Sequence, residues 1–297
     1  MLDLTRYTRA RKRDQPRQSG RLASMEAGGP LVHCALQNRL LAALPELDWL
    51  DVRRRFSLME VQAGKTLYEA RAPLRFAFFP ATSIISIQNA VADGASTEVC
   101  TIGNEGLVGV TAMLGAAATS NRVIVQTGGY GYRIKIEDLK AEFGQGGAMQ
   151  QLLLRYSLTL IRQICQAALC NQHHSIDQQL CRWLLMSLDR VGGEELTVTH
   201  EILANTLGVR REGISEAARK LQNAGLISYR RGRIRVLDRL GVEACCCECY
   251  AVVRGEYDRL PRPSADALSG APHAVPAKDE CATHDDQAKP ATEQWVI

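Results

Sequence analysis

The 297-residue sequence has no apolar run long enough to span a bilayer. Its first residues include arginines with no apolar core after them, which is not the pattern of a secretory signal. G-x-S-x-G, H-E-x-x-H and a phosphate-binding loop are all missing, so an enzyme is the weakest functional class. The glycine-rich stretch Gly128-Gly129-Tyr130-Gly131 reads as a hairpin turn between two strands. No internal repeat is apparent. There is no strong charge of one sign either: the net charge is +4, too small by itself to point to nucleic acid. The ten cysteines lack the compact framework of a small secreted fold, so a reducing, cytoplasmic setting is expected.

What is present is enough chain for about two domains with tails. The most informative stretch is Leu196 to Leu237. Thr199 can cap a helix whose first turn holds Glu201. Ile202, Leu203 and Leu207 follow at helical spacing, with Thr206 among them, and Gly208 can end the helix in a left-handed conformation. Val209 fills the turn. A second helix is predicted from about Arg210 to Asn223, with Ile214, Ala217, Ala218 and Leu221 as its buried stripe. Arg211, Glu212, Ser215, Glu216 and Arg219 are left on the opposite face. Gly225 stops it, Leu226 to Tyr229 alternate as a strand, and Ile234, Val236 and Leu237 return as another. Between them Arg230, Arg231, Gly232 and Arg233 form a tight basic turn. With Arg235 these arginines crowd together with no acid among them, a concentration that an anion would answer. A charged helix face alone usually means only solvation; the basic hairpin is what favours DNA. The candidate DNA-contacting residues are Thr199, Arg210, Arg211, Glu212, Ser215, Glu216, Arg219, Arg230, Arg231 and Arg233.

Upstream, residues 1–30 are basic and polar, from Arg6 to Arg21. This is either a leader without regular structure, with Met25 as an alternative start, or a phosphate-gripping arm; the absence of periodicity favours the leader. Two short helices broken at Pro45 are expected between Ala35 and Arg55. Seven short apolar or alternating runs then follow: Phe56–Val61, Thr66–Tyr68, Arg75–Phe79, Ile84–Asn89, Thr97–Ile102, Arg122–Thr127 and Tyr130–Ile134. Glycine and proline punctuation between them suggests an antiparallel roll or barrel. A short helix is expected near Glu137 to Phe143. A long one then runs to about Gln172, where Met149, Leu153, Tyr156, Leu160, Ile164 and Ala167 form a narrow seam. That seam fits pairing with a second copy; the alternative is packing on the β-roll. Ser175 to Asp189 is a further helix. The expected fold is thus α+β: an N-terminal antiparallel β-roll, a long dimerisation helix and a C-terminal winged helix-turn-helix. Domain limits are 31–146 for the roll, 147–174 for the long helix and 175–250 for the winged helix. A tail over 251–297, rich in Pro, Ala, Asp and Lys from about Pro261, is expected to lack fixed structure.

This order of elements resembles the Crp/Fnr superfamily of transcription regulators over about Leu36 to Leu240. The most specific part is Leu203 to Arg235, where Leu207-Gly208-Val209-Arg210-Arg211-Glu212 and Leu221-Gln222 to Gly225-Leu226-Ile227 look like the family's recognition motif. The resemblance implies a cyclic-nucleotide-binding-like sensor roll. It further implies a homodimer on a two-fold double-stranded DNA site, with Arg211 and Glu212 as base readers. RNA polymerase is a further candidate partner. Where the family often has a third arginine reader, this chain has Glu216, so the usual half-site is not implied. Members that bind cyclic AMP carry Gly-Glu and, later, Arg-Ser-Ala. Here Gly109-Val110 and Thr119-Ser120-Asn121 align with them, and neither charged contact is kept. Arg122 is near, but a strand neighbour faces the other way. Cyclic-nucleotide binding is therefore not expected, since a phosphate without its arginine is poorly compensated. Iron–sulfur members use several N-terminal cysteines, and this chain has only Cys34 before Cys100. His33, His173 and His174 leave haem as an option, although a lone histidine is usually a surface or core residue. No cofactor is expected.

Cys245, Cys246, Cys247 and Cys249 lie in GVEACCCECY. Such dense thiols could hold zinc or report oxidation. Four ligands on under two turns of helix cannot surround an ion, however, so a loop, Cys181 or a partner chain would be needed. The plainer reading is small apolar side chains packed under the wing. A second functional class therefore stands beside the DNA-binding regulator: a redox- or metal-responsive sensor using the Cys245–Cys249 cluster and acting through protein contacts. The effector, the target promoters and the choice between activation and repression are not legible in the sequence.

Overall fold

The computed structural model describes residues 37–90 and 96–261. The basic leader, His33, Cys34 and the tail from residue 262 lie outside them. The described chain opens with α1 (Arg39–Ala42) and α2 (Glu46–Val52), separated at Pro45, and a 3-10 turn over Arg53–Arg55. Asn38 caps α1 through its side-chain oxygen, while its amide donates to the carbonyls of Pro80 at 2.8 Å and Gly106 at 2.9 Å. This fully buried side chain pins the start of the chain to the roll.

The seven expected strands are all present: β1 (Ser57–Val61), β2 (Thr66–Tyr68), β3 (Phe76–Pro80), β4 (Ile84–Ala90), β5 (Ser96–Ile102), β6 (Arg122–Thr127) and β7 (Gly129–Lys135). They pair antiparallel in two sheets, β1-β7-β3 and β2-β6-β4-β5. Val61, Phe79, Ile85, Val125, Tyr132 and Ile134 are among the side chains enclosed between them. Within the roll, a 3-10 turn over Val110–Leu114 flanked by left-handed Gly109 and Gly115 goes beyond the sequence expectation.

Helix α3 (Ile136–Gly144) leads to the long helix α4 (Ala148–His173). The expected seam on α4 needs correction. Met149, Leu153 and Tyr156 are buried, and Leu160 is packed against the same core, so this face packs within the chain. Tyr156 even donates to the Leu107 carbonyl at 3.2 Å. The outward apolar stripe is instead Leu154, Leu158, Ile161 and Leu169, exposed at 47%, 50%, 53% and 45%, with exposed Cys165 in the gap. The helix is apolar on two faces, and periodicity alone selected the inward one.

Helix α5 (Ile176–Val191) begins in a capping box of Ser175 and Gln178 and ends at left-handed Gly192. Leu180, Trp183, Leu184 and Leu188 form its buried face. The C-terminal unit then comprises β8 (Glu195–Thr197), α6 (His200–Leu207), α7 (Arg211–Asn223), β9 (Ile227–Arg230) and β10 (Arg233–Val236). Strand β8 was not anticipated; it makes the wing three-stranded in the order β8-β10-β9.

Two short helices close the described chain, α8 (Arg239–Cys245) and α9 (Cys249–Asp258). The expected start of a structureless tail at 251 is corrected, because α9 runs through it. Tyr250, Val253, Tyr257 and Leu260 recur at helical spacing and are buried, with α9 against α4 and α5. No helix among the described residues is long and apolar enough to cross a membrane.

Candidate nucleic-acid interface

Thr199 caps α6, its hydroxyl accepting from the Ile202 amide at 3.2 Å, and Gly208 ends the helix in the left-handed conformation. Leu203 and Leu207 are buried, whereas Ile202 is 45% exposed, which corrects the expected shared face. Arg210 stands at the cap of α7 with its side chain exposed. Ile214, Ala217, Ala218 and Leu221 are buried, so α7 is anchored along one stripe against α5, α6 and β9. On the opposite face Arg211, Glu212, Glu216 and Arg219 are exposed and Ser215 is half-buried. These residues are thus brought to one surface. Among the described residues Arg211, Glu212 and Arg219 have no ion pair, while Glu216 pairs with Lys220 at 3.3 Å.

Ser215 is not a free reader. Its hydroxyl lies 2.9 Å from His200 Nδ1 and 3.1 Å from the Arg211 carbonyl. His200 also stacks on Tyr229, with centroids 4.4 Å apart. The histidine therefore ties the start of α6 to the polar face of α7 and to the wing. Burial and the nearby Arg211 charge push its pKa down, holding the ring neutral. Sequence reasoning missed His200, whose partners are 15 and 29 residues away and become neighbours only in the fold.

The wing hairpin turns through Arg231 at φ 52° and Gly232 at φ 76°, the two left-handed positions of a type I′ turn. Glycine takes such a position freely; arginine does so at a cost of about 1–2 kcal/mol. The Gly232 carbonyl accepts from the Val198 amide at 2.8 Å, so the hairpin tip is fastened beside the α6 cap. The expectation of four unanswered arginines is corrected here. Arg233 pairs with Glu195 at 3.0 Å and Arg235 with Glu194 at 3.1 Å, both acids coming from around β8. Arg230 and Arg231 remain exposed and without an ion pair among the described residues.

Helix α6 also packs on β5 of the roll, where a side chain at Gly208 would approach Thr97 at 3.3 Å. The β-roll thus touches the first helix of the unit and leaves the polar face of α7 open. In the roll, Arg122 turns outward to Glu69 at 3.2 Å, and the Thr119 hydroxyl caps its own turn through Asn121.

The cysteine-rich segment is not one helix. The backbone of Cys246 is extended, and a short break separates α8 from α9. Cys245 is exposed and Cys246 half-buried, while Cys247 and Cys249 are buried against α4 rather than under the wing. Cys181 is buried separately in the main core. Burial pushes the thiol of Cys170, on α4, up to about 12 and raises that of Cys249.

Comparison with known proteins agrees with this architecture. Residues 178–245 match the Crp-like helix-turn-helix domain family. No curated protein sequence matches the chain. Among solved structures, a putative Crp/Fnr-family regulator from Eubacterium rectale superposes with a TM-score of 0.55 at 17% identity, over 69% of this chain and 96% of that one. FixK2 from Bradyrhizobium japonicum gives a TM-score of 0.55 at 13% identity, over 65% and 98% of the two chains. A Crp-family regulator from Thermus thermophilus gives 0.52 at 16% identity, over 69% and 100%. These likenesses establish a Crp/Fnr-type fold with a Crp-like helix-turn-helix domain at its C-terminal end.

Proposed function

We propose that this chain is a dimeric, sequence-specific DNA-binding transcription regulator of the Crp/Fnr type that acts in the cytoplasm and does not respond to cyclic AMP. The observation that carries the reading is the open face of α7, where unpaired Arg211, Glu212 and Arg219 stand on a rigidly anchored helix. An arginine on such a face can donate to guanine and a glutamate can accept from cytosine. Arg230 and Arg231 then supply phosphate contacts at the hairpin, and the left-handed arginine is consistent with a charge held there for contact. Thr199, Arg210, Ser215, Glu216 and Arg233 act as supporting neighbours, because four of them, all but Arg210, already have partners within the chain. Two copies pair through the exposed apolar stripe of α4 and present two recognition helices to a two-fold site. RNA polymerase is a further partner in this reading. The missing arginine and glutamate at Thr119-Ser120-Asn121 and Gly109-Val110 support a signal other than cyclic AMP.

The test is a mobility-shift assay on a duplex selected from random sequence. Wild type is expected to retain one two-fold sequence, and added cyclic AMP is expected to leave the shift unchanged. Arg211→Ala should cost about 1–3 kcal/mol and relax specificity, while Arg231→Gly should weaken all sequences evenly with a shallower salt slope. Sequence-indifferent binding by wild type would overturn the reading.

A further inference from the structure

We infer that Cys170, His174, Cys247 and Cys249 form a site for one zinc ion that fastens the C-terminal helix to the long helix. The four ligand atoms lie within 4.8 Å of one another. Cys170 Sγ and Cys247 Sγ are 3.6 Å apart, and Cys249 Sγ is 3.4 Å from His174 Nδ1. A tetrahedral ion with bonds of about 2.3 Å to sulfur and about 2.0–2.1 Å to nitrogen holds its ligands about 3.5–3.8 Å apart. The contact between the two sulfurs is far longer than a disulfide, at about 2.05 Å. Three sulfurs and one imidazole this close suit a single tetrahedral ion, and that donor set selects zinc.

The fold supplies the encirclement that one short helix cannot. Cys170 lies in the last turn of α4, and His174 is the residue that caps it, its amide donating to the Cys170 carbonyl at 3.0 Å, so both stand at the end of that helix. Cys247 comes from the break before α9 and Cys249 is the first residue of α9, and both approach from the other side. Outer contacts are also built. The second nitrogen of His174, Nε2, lies 3.3 Å from a Glu248 carboxylate oxygen, which fixes the ring with Nδ1 toward the sulfurs. The Gln166 amide donates to Cys249 Sγ at 3.0 Å. Binding releases three thiol protons to solvent and leaves the site with one net negative charge. Cys245 and Cys246, singled out by the sequence, take no part.

The test uses the full-length chain, purified under reductant and supplied with Zn2+. One tightly held zinc per chain is expected by elemental analysis and native mass spectrometry. Replacement by Co2+ should give thiolate-to-metal charge transfer and the intense visible bands of a tetrahedral site. Cys170→Ser and Cys249→Ser should lose the ion, exposed Cys245→Ser should keep it, and Glu248→Gln should weaken it about 10–100-fold. Chelation should lower the melting temperature of wild type and leave that of Cys249→Ser unchanged. The Co2+ spectrum needs no variant, so misfolding of a cysteine variant leaves the question decidable. A chain that takes up no stoichiometric zinc, a Cys170–Cys247 disulfide in its place, or zinc retained by both serine variants would each overturn the assignment.

Discussion

Glu98 faces the Ser86 hydroxyl on β4, which donates to its carboxylate at 2.6 Å, with the Gln88 amide behind that hydroxyl. The guanidinium groups of Arg182 and Arg190 on α5 favour the charged form, but burial outweighs them and raises the pKa from 4.5 to about 7. Below pH 4.5 the carboxyl is protonated whether folded or unfolded. Between that pH and about 7 only the folded chain keeps the proton, so stability falls as pH rises through this window and then levels off. At about 1.4 kcal/mol per unit the loss is at most about 3.5 kcal/mol. Glu98→Gln is isosteric and cannot ionise. Its melting temperature should exceed that of wild type by a margin that widens from pH 5 to pH 8. A constant margin across that range would show that Glu98 does not titrate there.

At the scale of the element, the strands were legible because each is a short apolar run closed by glycine or proline, and all seven in the roll fall within two residues of their expected bounds. The two helices of the C-terminal unit were legible for a similar reason, an apolar stripe followed by a left-handed glycine at Gly208 and Gly225. Strand β8 was hidden because three residues carry no pattern, and with it went the acids that answer Arg233 and Arg235. The metal ligands were half hidden, since Cys170 meets Cys247 only across 77 residues of chain. Helix α4 was legible as a helix but not as a set of faces, and the two faces predict different failures. Ile161→Arg puts a charge in the exposed stripe and should convert a dimer to a folded monomer in sedimentation velocity, with an unchanged melting profile at matched monomer state. Leu153→Ala should cost about 2–5 kcal/mol of stability while the chain still pairs. A dimer that survives Ile161→Arg would move the interface elsewhere.

Across the whole molecule, one buried polar network joins parts distant in sequence. Arg190 on α5 donates to Glu105 in the roll at 2.7 Å, and both side chains are nearly inaccessible, at 4% and 6% exposure. The same guanidinium reaches Thr101 on β5 and Gln163 on α4, and the Tyr257 hydroxyl on α9 donates to Gln163. The Gln163 amide in turn donates to the Thr101 carbonyl at 3.1 Å. Gly103 makes room for the arginine, because a Cβ there would stand 2.7 Å from its side chain. The β-roll, the long helix and the helix leading to the helix-turn-helix unit therefore meet at a single ion pair. Removing one partner of such a pair strands the other in the interior, at about 3–5 kcal/mol, whereas removing both charges costs less. Arg190→Met should thus lower stability by about that much in equilibrium urea unfolding. Adding Glu105→Gln to it should restore a large part, because no isolated carboxylate remains. The double-mutant cycle reads the coupling directly. If the two losses simply add, the pair does not act as one unit, and the roll and the winged helix are joined by apolar packing alone.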